Sequence, residues 1–308
     1  ALGAPIGSAI IGRPVNFQGP AGSVENDQAL AMLRSAAHMA GFARVDFLYE
    51  PLAAAFEYEA SLNTDQTVLV VDVGGGTTDC SLVQVGPARR LRQDRGPDMC
   101  GHSGERVGGN DYDQALALAA VVPHLGWQAP LRSGLPVPNH YLVDAVTTND
   151  VNAQARFYSE QTLQRLQELQ QECLQPLGLT RLLKLQRTRG SYRLLRAVET
   201  TKIQLSQTDM AKLDLDFVDP GLQLETHRGQ FSRAASKLLT RLEQTLALVN
   251  KQAAQRADLV YLTGGMAQAP VVRDRVQSLL GTLPVLDSDH FTSVTEGLTL
   301  WAATQFGV

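Results

Sequence analysis

The stretch Val68–Leu82, VLVVDVGGGTTDCSL, constrains this chain more than any other. Val68–Val71 is a short β-branched and aliphatic run, the composition of a strand buried on both faces, and it carries Asp72 to the strand end. Gly74, Gly75 and Gly76 follow, where missing side chains let another group approach the backbone. Cys80–Val85 is apolar again and predicts a returning strand, so the stretch reads as a hairpin turning on three glycines. Successive unshielded N–H groups in such a bend form an anion-binding concavity, and Thr77 and Thr78 add hydroxyl donors. Phosphate is the expected guest. Asp72 and Asp79 flank the glycines, and two carboxylates repel a phosphate unless a cation stands between them. The pattern therefore points to Mg²⁺ held largely through water. The same residues also fit a plain tight turn with solvated aspartates as its shoulders. A Walker loop needs a Lys-Ser/Thr pair opening a helix, and the dinucleotide fingerprint needs a helix after its glycines; here a strand follows.

A chain of 308 residues, 44% hydrophobic and 19% charged, is long enough for a sizeable core and for more than one domain. Its net charge of −4 implies no general attraction to nucleic acid or to an anionic membrane. Cys80, Cys100 and Cys173 are widely spaced with no CxxC pair, which suits reduced thiols in a cytoplasmic protein. Cys100 and His102 have the spacing of a metal-ligand pair, but no second pair follows, so a surface loop is expected there. No apolar stretch long enough to span a bilayer and no leader is evident. The chain opens on Ala1, as a fragment or processed product would.

Along the chain, Ser8–Phe17 reads as a strand ending near Pro14, Ala29–Gly41 as a helix, Val45–Tyr49 as a strand, and Glu50-Pro51 as the start of a small-residue helix. That alternation favours a parallel sheet. Pro87–Gly104, rich in Arg and Gly, reads as an exposed connection, and GGNDYD at Gly108–Asp113 opens a helix capped by Asn110 or Asp111. Pro123–Pro138 is a proline-rich loop. Gln154–Cys173, Tyr192–Leu205 and Phe231–Val249 carry helical stripes, and Lys212–Phe217 with Leu222–Thr226 form a hairpin about Asp219-Pro220-Gly221. Leu259–Leu262 is a buried strand leading through Gly264-Gly265 into a helix from Pro270 to Leu280, and Val294–Phe306 is a closing helix.

DVGGGTTD resembles the second phosphate hairpin of the actin, sugar-kinase and heat-shock-chaperone ATPase superfamily. IIGRPVNF (10–17), YEPLAAAFEY (49–58), GGNDYD (108–113) and LTGGMAQAP (262–270) occur in the matching order and resemble the 70-kDa heat-shock chaperone family. The first and last blocks are most similar to YegD-type homologues. The resemblance implies an α/β fold of actin-like (ribonuclease H-like) lobes. Residues 1–62 would be the end of lobe I, 63–108 with 256–308 the base of lobe II, and 109–255 its cap, helical with a β-hairpin and larger than the family's usual cap.

It further implies ATP or ADP with Mg²⁺. Asp72, Asp79 and Glu50 would order metal and water, and Thr77 would orient water. Gly74, Gly75, Gly76, Thr77, Thr78, Gly108 and Gly109 would hold phosphate. Glu199, Lys202 and Ser206, spaced three and four apart on one helix face, would meet the adenosine together with Gly264 and Gly265. Pro14 matches a family residue that relays nucleotide state. Each position also has a plainer reading: a dipole-favoured first-turn acid for Glu50, a strand terminator for Pro14, a surface pair for Glu199 and Lys202. Ile203, Met266 and Gln268 depart from the family's arginine, serine and arginine, which weakens the purine side.

The first phosphate hairpin and the water-positioning lysine are not found before Ile10, so the resemblance starts within lobe I. Weak nucleotide binding and poor hydrolysis by these 308 residues are expected, with ATPase activity in an intact parent. No peptide-binding domain is found within the sequence, and a co-chaperone or exchange factor could meet the cap. A non-catalytic interaction protein and a small-molecule kinase of the same superfamily stay open beside this reading.

Overall fold

The structure is a computed structural model and describes residues 7–15, 17, 24–287 and 293–307. In chain order the first part runs β1 (Ser8–Arg13), α1 (Val24–Met39), β2 (Arg44–Tyr49), α2 (Glu50–Ser61), β3 (Gln66–Val73), β4 (Thr78–Val85) and β5 (Met99–Glu105). A helical stretch follows: α3 (Gly109–Ala120), α4 (Asn139–Val146), α5 (Val151–Phe157), α6 (Glu160–Glu172), α7 (Leu177–Arg187) and α8 (Ser191–Gln207). Then come β6 (Met210–Asp214), β7 (Gln223–His227), α9 (Arg228–Ala234), α10 (Ser236–Gln252), β8 (Leu259–Thr263), α11 (Pro270–Leu280), β9 (Val285–Asp287) and α12 (Ser293–Phe306). The chain divides into two compact units.

Unit 1 comprises Ala1–Gly108, Arg241–Ala267 and Val272–Val308. Its main sheet has the order β5-β4-β3-β8-β9. The β3–β4 and β4–β5 pairs are antiparallel, whereas β3–β8 and β8–β9 are parallel. Val68–Val71 is fully buried because β3 is the central strand, lined by β4 and β8. β1 and β2 form a separate parallel pair, as the strand–helix–strand order predicts.

The small residues of α2 have a packing purpose. Leu52, Ala53, Ala54 and Ala55 are buried, and a side chain at Gly297 of α12 would overlap the Ala53 backbone, so the two helices meet backbone to backbone. Phe56 and Trp301 extend that seam at 5.8 Å between ring centroids. The contact fixes the start of α2, and with it Glu50.

Pro87–Gly104 is an exposed connection only in its first part, where residues 87–88 and 91–94 are exposed. Its second half is β5, the edge strand beside β4, and Cys100 and His102 lie within it. Ahead of β5, Asp98 is completely buried and accepts from Arg89, Arg92 and Arg95, while Arg95 also donates to Glu59. The arginines that suggested solvent are the partners of buried carboxylates.

Unit 2 comprises Gly109–Thr240 and Gln268–Val271. α3 starts at Gly109, so Asn110 and Asp111 lie in the first turn instead of capping it. The buried face of α3 includes Tyr112 and Leu116, and Tyr112 meets Phe231 of α9 edge-on at 6.3 Å. Two expected long helices are each broken. Ser159 ends one turn and caps α6, its hydroxyl accepting from Thr162 N–H at 3.1 Å. Ala235 separates α9 from α10. The hairpin is present as β6–β7, and Gly221 takes the positive φ its turn requires. α4 and α7 were not anticipated.

Candidate functional site

In unit 1 the hairpin brings its two aspartates together. β3 and β4 pair antiparallel with Asp72 directly opposite Asp79, and Gly74 N–H bonds to Thr77 C=O at 2.9 Å to close the bend. Gly75, Gly76 and Thr77 are exposed at its tip, and open space lies where Gly75 and Gly76 would carry side chains. Thr77 hydrogen-bonds Asp79, which partly offsets the upward push of burial on that carboxyl. Thr78 departs from expectation. It is buried and its hydroxyl donates to Val107 C=O at 2.7 Å, so it braces the hairpin and offers no donor at the bend.

Glu50, from the first turn of α2, completes an acidic group. Burial and then Asp79 raise its pKa; burial, Asp79 and Glu50 together push Asp72 up to about 6. Three carboxylates that resist ionising in each other's presence are a donor set suited to a divalent cation. Among the described residues no three His, Cys, Asp or Glu side chains stand close enough to grip a metal directly. Cys80 lies fully buried behind the pair, and burial pushes its thiol well above the usual range.

A glycine seats each carboxylate. A side chain at Gly104, the register partner of Asp79, would overlap the Asp79 carboxylate, and one at Gly264 would overlap Asp72 Oδ1. One at Gly12 would lie 3.2 Å from Glu50 Cγ. Gly264 also adopts φ 87°, which L side chains rarely take. Gly108 serves the bend itself, since a side chain there would come within 2.7 Å of Gly75 C=O. Gly265 is exposed with open space beside it, and Met266 N–H bonds to Val73 C=O at 3.1 Å, holding this turn against the end of β3. Met266 is itself buried. Gly12 and Gly104 were missed from sequence; each sits inside a strand, where an isolated glycine is the only local sign of close approach.

In unit 2, Glu199, Lys202 and Ser206 share one face of α8. Lys202 is 8% exposed, with its ammonium 3.0 Å from the Asp113 carboxylate and 3.3 Å from Gly109 C=O. It is an internal partner of α3, not half of a surface pair. Glu199 pairs instead with Arg196 at 2.6 Å, Ser206 Oγ lies 3.5 Å from Lys202 C=O, and Ile203 is exposed. Asp113, which sequence reading did not single out, is pushed up to about 6, burial outweighing the pull of Lys202.

The Hsp70 protein family model matches residues 2–121 and 182–307, leaving unmatched only a stretch within the helical part and the chain's extreme ends. The chain belongs to the Hsp70 family. Membership brings the actin-like ATPase fold and accounts for the central hairpin. This Hsp70 chain is 27% identical over its whole length to "Chaperone protein DnaK 1" of Synechococcus sp. and to "Chaperone protein DnaK" of Trichormus variabilis. It is 26% identical to "Chaperone protein DnaK" of Prochlorococcus marinus. It spans 33% to 39% of those relatives' lengths. The unmatched residues 122–181 contain α4, α5, α6 and the start of α7.

Proposed function

We propose that this chain is the nucleotide-binding part of a chaperone ATPase that turns ATP into ADP and phosphate. One observation carries the reading: Asp72 and Asp79 face each other below an exposed glycine bend, with Glu50 close enough to share their charge. In this reading the bend Gly74–Thr77 holds phosphate oxygens, with the exposed Gly75 and Gly76 offering their N–H groups, Thr77 orients the attacking water, and the three carboxylates hold Mg²⁺ through water. When bound, Mg²⁺ neutralises charge on the phosphates. Gly108 and Gly109 serve the phosphate, and Glu199, Lys202, Ser206, Gly264 and Gly265 serve the nucleoside. A cytoplasmic setting, kinship with YegD-type homologues and recruitment of an exchange factor or co-chaperone by the helical cap belong to the same proposal.

Calorimetric titration with ADP, with and without Mg²⁺, tests it. Binding that needs Mg²⁺ and is lost in Asp72→Asn and Asp79→Asn supports the reading, and slow or undetectable turnover of ATP is expected from these 308 residues. A second reading, a scaffold without turnover, draws on Ile203, Met266 and Gln268. Absence of any nucleotide binding, here and in a longer protein that includes this chain, would favour it.

A further inference from the structure

The stretch that the family model leaves unmatched carries a recess of its own, lined by none of the residues assigned above to the nucleotide. It has a volume of about 560 Å³ and opens between α4 and α6. Its walls include His140 and Tyr141 of α4, Arg156 of α5, and Gln161, Gln164 and Arg165 of α6. The His140 and Tyr141 rings lie against each other with centroids 3.9 Å apart. Arg156 donates to the buried Asp144 through Nε at 3.0 Å and Nη2 at 2.8 Å, and Arg165 donates through Nη1 to Glu168 at 2.7 Å. Among the described residues Arg156 Nη1 and Arg165 Nε and Nη2 meet no acceptor, so each oriented guanidinium keeps an edge for an anion.

The recess abuts a corner of concentrated positive charge. Ser159 lines the recess, and Gln186 near the end of α7 donates to Ser159 C=O at 3.4 Å. Tyr158, the residue before, accepts from Ser191 N–H at 3.0 Å, and Arg189 lies over its ring at 5.4 Å. Residues 181–196, across the α7–α8 turn, hold six Lys or Arg and no acid in a chain of net charge −4. Arg181 and Arg196 pair with Asp219 and Glu199. Among the described residues Lys184, Arg187, Arg189 and Arg193 have no carboxylate partner, and all four are exposed.

Arg189 adds an independent sign. It takes φ 52° in the turn that ends α7, where its N–H bonds to Gln186 C=O at 3.3 Å and Gly190 N–H to Leu185 C=O at 2.8 Å. Glycine is the residue favoured at such a position, so an arginine there is kept against local preference. Its charge is the property that explains the retention.

We propose that the α4–α6 recess and the α7–α8 corner bind single-stranded nucleic acid, a base entering the recess against His140 and Tyr141 while phosphates meet the arginines. The proposal does not rest on the nucleotide reading above. Outside residues 181–196 the chain carries −10, so the attraction is local and the affinity modest. An acidic polypeptide would satisfy the cations but leave the ring faces and the Gln161 and Gln164 amides unused.

Fluorescence anisotropy of the full chain with a labelled oligouridylate of about twelve nucleotides, at pH 8 and between about 50 and 300 mM salt, tests it. The binding constant is expected to fall with salt at a log–log slope of roughly −2 to −3, the value for three or four phosphates. Arg189→Gly is expected to bind about 5-fold more weakly at 0.1 M salt with a slope shallower by about 0.7, while its melting temperature stays the same or rises. His140→Ala, at an exposed position, is expected to bind roughly 5-fold more weakly with the slope unchanged, as a lost stacking contact requires. No binding at the lowest salt overturns the proposal, and so does binding that neither substitution weakens. Displacement of the RNA by a polyglutamate peptide at equal charge concentration also overturns it, in favour of an acidic protein partner.

Discussion

Asp72 and Asp79 are register partners across the β3–β4 ladder, one on each arm of the glycine bend. Like charges directly opposite in a sheet repel, and burial adds to the cost of ionising them. Evolution retains such a pair against stability when a ligand restores the balance.

Asp72 sets the first expectation. Its carboxyl is held near 6 in the folded protein, against 3.8 for the free side chain. The folded state therefore binds more protons than the unfolded state between those values. The stability contributed by the protonated form is complete below about pH 4 and is lost as pH rises through 6. Asp72→Asn, which mimics the neutral acid, should stabilise the nucleotide-free protein at pH 7.5 by about 2 kcal/mol and hardly change it at pH 4. Urea unfolding at both pH values checks this; equal stability of the two proteins at pH 7.5 would refute it.

Glycines of the site divide into two kinds. Gly264 has a positive φ and abuts Asp72 and the Val73 backbone, so Gly264→Ala should cost about 2–4 kcal/mol. Gly75 has open space beside it, and Gly75→Ala should change stability by no more than about 1 kcal/mol in either direction. Yet it should weaken ADP binding, since the methyl group narrows the approach to the bend. Chemical denaturation paired with ADP titration separates the two; strong destabilisation by Gly75→Ala would be the contrary result.

Lys202 and Asp113 form a buried pair, and removing one charge leaves the other uncompensated. Lys202→Met should destabilise unit 2 by about 3 kcal/mol at neutral pH. The loss should shrink as pH falls toward 6, because without the pull of Lys202 the buried Asp113 carboxyl takes up its proton at a higher pH than in the unmodified protein. A destabilisation that did not vary between pH 5 and 8 would argue against this account.

Asp98 accepts from three arginines while wholly buried, and one of them, Arg95, also ties Glu59 at the end of α2. Arg95→Met should cost about 3–5 kcal/mol by leaving two carboxylates short of a buried partner. Arg92 is half-exposed, and Arg92→Met should cost about 1 kcal/mol or less. Thermal melts of the two variants should rank in that order.

The sequence by itself determined the central hairpin, the parallel pairing of β1 with β2, and α11 with the bounds Pro270–Leu280. In each the signal is local: an apolar run, a glycine break or a proline start within a few residues. Tertiary structure alone decided that Met99–Glu105 is a strand, because MCGHSGE has little β preference and is ordered by pairing along β4. It also decided which glycines matter. Gly12, Gly104 and Gly264 lie far apart in the chain, and each makes room for a carboxylate only once the strands are assembled. Lys202 looked like a surface residue because Asp113, its partner, is 89 residues away. Periodicity records how a segment turns its own faces; it carries no mark of the distant segment that a face will meet.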